Sequence, residues 1–139
     1  MSHSDSLSRL LAILEPSLAI YLADSGIWSY PGKESIKLAL ADLVDDLRSL
    51  ITRIATTLES RGKAAAKETF PIAFTALHDV DMRWLAPRVA ADLRDRAAAI
   101  GRLADAAAED AEAVELATEA RGLLTRHADI VERSPASAA

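Results

Sequence analysis

The stretch "TALHDVDMRW", residues 75–84, gathers His78, Asp79 and Asp81 beside Leu77 and Trp84. His78 and Asp81 are three residues apart, so on a helix they share one face. A second imidazole, His127, stands near the end of the chain. Two imidazoles and one carboxylate make a donor set for a divalent metal ion. The same groups can instead satisfy one another. His127 donating to Asp81, or to a backbone carbonyl, lets both sit in a half-buried layer with no ligand.

What positions these residues is a set of helices. The chain is rich in Ala, Leu, Arg, Asp and Glu, with five Gly and five Pro in 139 residues, too few for many tight turns between strands. Helix one is expected over residues 6–24, with Ser4 or Ser6 as N-cap, Gly26 near its end and a kink near Ala12 caused by Pro16. "YPGK", residues 30–33, reads as a turn. Helix two, residues 33–60, carries Ile36, Leu40, Leu43, Leu47, Leu50, Ile54 and Leu58 at steps of three and four, and Gly62 stops it. Helix three starts at Pro71, a favoured first-turn residue, and continues past Pro87 to about Leu103. Helix four runs over 111–132, and the tail "RSPASAA" is expected to be disordered. Four helices with short connections predict an all-α, antiparallel up-down-up-down four-helix bundle, one domain over residues 1–133.

The two halves resemble each other. "RSLITRIATTLE" (48–59) aligns with "RGLLTRHADIVE" (121–132), and "ILEPSLAIYLAD" (13–24) aligns with "WLAPRVAADLRD" (84–95), which matches Pro16 with Pro87. This points to a duplicated helical hairpin. At these offsets His78 replaces Leu7, Asp81 replaces Leu10 and His127 replaces Ile54. His78 lies about 10 Å into helix three and His127 about five residues from the end of helix four, the same level in antiparallel neighbours. The three polar groups are therefore expected in one layer. Trp28 and Tyr30 are expected to cap the opposite end, Asp79 to pair with Arg83, and Asp42, Asp45 and Asp46 to form a solvated acidic face.

Several chemistries are excluded by composition and spacing. A net charge of −5 with interspersed basic residues argues against nucleic acid. No cysteine means no thiolate chemistry and no Cys-ligated zinc, in keeping with a reducing compartment. The start lacks a signal-peptide layout, and "LLAILEPSLAIYL" is too short and broken to span a bilayer. A cytoplasmic protein without membrane or nucleic-acid partners is expected. A ferritin-like di-iron site needs Glu three residues before each His, where Thr75 and Leu124 stand. No nucleophile–base pair or glycine-rich phosphate loop is present.

These observations favour a non-catalytic structural or interaction module with no cofactor. The alternative is a bundle that binds a divalent metal or small ligand through His78, Asp81 and His127. Ile13 and Ile20 fall off the core stripe of helix one, so a homodimer through that helix is expected.

Overall fold

Apolar residues recurring every three or four positions give a helix one face that must leave water. The seven stripe residues of helix two are each at most 2% exposed. Leu14, Leu18, Leu85, Val89, Leu93, Leu116 and Leu123 join them in one continuous core. A computed structural model of the chain describes residues 5–24, 34–64, 69–77 and 81–133. Among these the chain is all-helical: α1 (Ser6–Leu14), α2 (Leu18–Asp24), α3 (Glu34–Ser60), α4 (Met82–Ala106) and α5 (Ala111–Glu132), with a short 3₁₀ turn at Ile72–Leu77. The expected turn at 30–33, the aromatic cap of Trp28 and Tyr30, and the tail fall outside the described residues.

The expected kinked first helix is two helices, α1 and α2, meeting at 58°. Pro16 has no N–H and cannot continue the ladder, so carbonyls at the end of α1 and an N–H at the start of α2 lose their partners. Side chains of α4 supply new ones. Arg96 donates to the carbonyls of Ile13 (2.9 Å) and Pro16 (3.0 Å), and the Asp92 carboxylate accepts from the Leu18 N–H at 2.9 Å. Asp92 and Arg96 also bind each other at 2.9 Å, which locks the pair in place. The bend turns α2 inward, so Ile20 is 8% exposed and Ile13 packs half-buried against the core. Ile20 is thereby taken up within the chain, while Ile13 stays partly exposed. Pro87, its expected counterpart, sits inside α4, and the helix runs through it.

The order of the helices also differs from expectation. Contacts pair α1 with α3 (Asp5–Arg61), α2 with α3 (Asp24–Arg48), and α3 with α5 (Arg53–Glu119, Arg61–Glu112). They pair α5 with α4 (Asp129–Arg94) and α4 with α1 (Arg96 to the Ile13 carbonyl). The numbers run in opposite senses along each interface: 5–61 and 24–48 for α1 and α2 on α3, 53–119 and 61–112 for α3 on α5, 94–129 and 101–121 for α4 on α5, and 18–92, 13–96 and 9–102 for α1 and α2 on α4, so these neighbours are antiparallel. It follows that α3 and α4 run in the same direction. The bundle is up-down-down-up, with the 3₁₀ turn at Ile72–Leu77 between α3 and α4 in the chain. The expectation of up-down-up-down rested on a helix beginning at Pro71. Instead, residues 72–77 form a 3₁₀ turn whose Phe74, with Phe70, packs on Tyr21 of α2 at centroid distances of 5.5 and 5.1 Å. The long helix begins only at Met82.

One end of the bundle is tied by Arg61. Gly62, at φ +75°, closes α3: its N–H reaches the Glu59 carbonyl (2.8 Å) and the Lys63 N–H reaches that of Leu58 (3.2 Å). That turn presents Arg61 to two helix-capping carboxylates. Asp5 caps α1 by accepting from Leu7 N–H, and Asp110 caps α5 by accepting from Ala113 N–H. Arg61 meets Asp5 at 3.0 Å, Asp110 at 2.9 Å and Glu112 at 2.7 Å. Arg61 holds the Asp110 carboxyl below the usual aspartate value. Burial pushes Asp5 upward, but the Leu7 N–H, Arg61 and Lys63 together bring it below its usual value.

Candidate functional site

His127 continues the core stripe of α5, four residues after Leu123 and seven after Ala120, and is 6% exposed. A polar ring in that position needs a partner. It finds Asp46 of α3: His127 Nε2 lies 2.7 Å from Asp46 Oδ2. Asp46 stands beside Leu47 at the edge of the α3 stripe, and its side chain is 56% exposed, so the pair joins the core to a wet surface. A carboxylate only accepts, which assigns the proton of this bond to Nε2. The other ring nitrogen, Nδ1, is buried and has no hydrogen-bond partner among the described residues.

Asp46 opens onto a cleft of about 260 Å³ between α3 and α5, lined also by Ser49, Leu50, Arg53, Glu119, Leu123 and Arg126. Arg53 grips Glu119 with two parallel bonds of 2.5 and 3.0 Å. Arg53 holds the Glu119 carboxyl below its usual value. The cleft thus combines an apolar floor (Leu50 and Leu123), a fixed ion pair and a carboxylate with one oxygen held by a buried imidazole. Such an arrangement can hydrogen-bond several hydroxyls of a small polar molecule and exchange a proton with one of them.

Of the expected His78–Asp81–His127 layer, Asp81 and His127 lie among the described residues. Asp81 is the N-cap of α4, accepting from the Arg83 N–H at 2.8 Å and from its guanidinium at 3.2 Å. These two bonds, backbone first, hold its carboxyl below the usual value. His127 turns to Asp46, so the expected Asp81–His127 bond is replaced by one to α3. His78 and Asp79 lie outside the described residues. Among those described, no group of three His, Asp or Glu side chains is placed to hold a metal ion. Arg88 lies 3.3 Å over the Trp84 ring and donates to the Trp84 carbonyl at 3.0 Å.

Asp46 was the residue missed. In sequence it is one of three acids, with Asp42 and Asp45, expected on a solvated face, and only the register of α3 against α5 sets it apart from them. Asp81 did carry a signal: an Asp directly before an apolar helical run is a helix-start pattern.

No protein-family model and no solved structure matches the chain. The chain is 36% identical over 76 residues to D-ribose pyranase from Pseudomonas fluorescens (strain Pf0-1). The match covers 55% of this chain and 57% of that protein, so the chain spans a little over half the length of the curated relative. The likeness overturns the expectation of a non-catalytic structural or interaction module, because the relative carries the name of an enzyme.

Proposed function

We propose that this chain acts on a small aldose of the D-ribose kind by proton transfer in the α3–α5 cleft, with Asp46 as the transferring group. The observation that carries this reading is the 2.7 Å bond from the buried His127 to the exposed carboxylate of Asp46. Changing the ring form of an aldose needs no cofactor. A base takes the proton from the anomeric hydroxyl, the bond from that carbon to the ring oxygen breaks, and an acid returns a proton to the ring oxygen. Both oxygens sit on one carbon, so a single carboxylate can take the proton from one and deliver it to the other. Ring closure on a different hydroxyl runs the same steps in reverse.

In this scheme His127 positions Asp46 and leaves its second oxygen toward the sugar. Ser49, Arg126 and the Arg53–Glu119 pair offer donors and acceptors for the remaining hydroxyls. Leu50 and Leu123 face the C–H surface of the ring. The likeness to D-ribose pyranase supports the choice of sugar, over the part of the chain that it spans.

Binding is tested by titrating D-ribose into isotope-labelled protein and following backbone amide shifts. The expected result is saturable change at Asp46, Ser49, Glu119 and Leu123. Shifts confined to other faces of the bundle, or none at millimolar sugar, would overturn the reading.

A further inference from the structure

The arginines of this chain fall into two groups. Arg48, Arg53, Arg61, Arg83, Arg94 and Arg96 each have a carboxylate within ion-pair distance. Arg9, Arg88, Arg102, Arg121, Arg126 and Arg133 have none among the described residues. Of these, Arg9 and Arg102 come from different helices, α1 and α4, to line the same groove. That groove, about 410 Å³, is completed by Ala12, Ile13, Ala99 and Leu103. It contains no acid. The grooves lined by Arg121, by Arg126, by Lys37 and by Arg53 each include an Asp or Glu. Two like charges gathered on one groove without a counter-charge repel each other, and an anion seated between them relieves that repulsion.

We propose that the α1–α4 groove binds a small amphipathic anion, an aliphatic carboxylate, with its charge between Arg9 and Arg102 and its chain over Ile13 and Leu103. The guanidinium fork matches a carboxylate through two parallel bonds. The alanines keep the floor low enough for a chain to lie along it. Ile13 is half-buried, so a bound chain covers apolar surface that the fold leaves partly wet. An inorganic phosphate would meet the same two arginines but find no further donors on this apolar floor. The groove lies on the α1–α4 side of the bundle, opposite the α3–α5 cleft, so the assignment stands independently of any sugar chemistry.

The test is a methyl-resolved NMR titration of the full chain with hexanoate, alongside hexan-1-ol and inorganic phosphate. Arg9→Gln, Arg102→Gln and the double variant are compared, with circular dichroism to verify that these exposed-site changes leave the helices intact. The expected result is saturable shifts at Ile13 and Leu103 with hexanoate, about tenfold weaker binding in each single variant and none in the double, and hexan-1-ol weaker by about tenfold or more. Unsaturable shifts, equal binding by the double variant, or phosphate or hexan-1-ol binding as well as hexanoate would each overturn the assignment.

Discussion

Two polar networks sit about 22 Å apart along α3, and they are built on different principles. At the end of the helix, Arg61 meets three carboxylates, and two of those also cap helices. In the other half of α3, His127 meets one carboxylate, its second nitrogen is buried without a partner, and the carboxylate opens onto a cleft. The first network is satisfied and joins the starts of α1 and α5 to the end of α3. The second leaves a buried polar atom unpaired among the described residues, which lowers stability, and presents a carboxylate to solvent. A satisfied cluster belongs to the fold. A cluster that retains a cost while presenting a reactive group is where function is to be sought.

The largest separation between the two should appear in activity. Asp46→Asn removes the base and keeps the shape, so aldose ring-form exchange should fall by about a hundredfold or more. Circular dichroism and thermal melting should change little, because the Asp46 side chain is more than half exposed. Arg61→Ala should do the reverse. It removes the guanidinium that Asp5, 9% exposed, shares with Asp110 and loosens the two caps they form, so urea unfolding should show a loss of about 2 kcal/mol. Activity per folded molecule should be unchanged.

The dependence on acid follows from the same contrast. Asp5 and Asp110 have folded-state pKa values below their usual one of 3.8. Their contribution to stability is complete above that value, shrinks as pH falls below it and is gone once pH passes through the lowered folded values. Unfolding free energy measured in a series of buffers should therefore drop below about pH 4 in the wild type. In Arg61→Ala that drop should be shallower.

The smallest effect on stability is expected at His127. Replacing it by Leu removes the unpaired Nδ1, while Asp46, being exposed, can take water in place of the imidazole. Stability should stay level or rise by up to about 1 kcal/mol, as read from the melting temperature. Ring-form exchange should fall, because Asp46 is no longer held. A clear loss of stability in His127→Leu would place this pair with the Arg61 network as a purely structural bond.

Much of the fold could be read from local pattern, and little of the site could. The α3 stripe, the span of α5 and the stop at Gly62 are set by residues within a turn or two of each other. The helix order is not. Pro71 marks the start of a helix by local pattern, but Phe74, with Phe70 just before the proline, packs on Tyr21, far away in sequence. At Pro16 the sequence showed that the ladder must fail, and only the packing of α4 shows that Asp92 and Arg96 turn a kink into a clean break. His127 was picked out correctly as a polar residue on an apolar stripe. Its partner could not be, because Asp42, Asp45 and Asp46 differ only in which of them the α5 register brings to the imidazole.

The most direct measurement is the rate at which D-ribose exchanges between its ring forms, followed by selective-inversion NMR with wild type, Arg61→Ala and Asp46→Asn. The account predicts that wild type and Arg61→Ala speed the exchange in proportion to folded protein, and that Asp46→Asn leaves it near the rate in buffer. Exchange no faster with wild type than in buffer, or equally fast with Asp46→Asn, would contradict it.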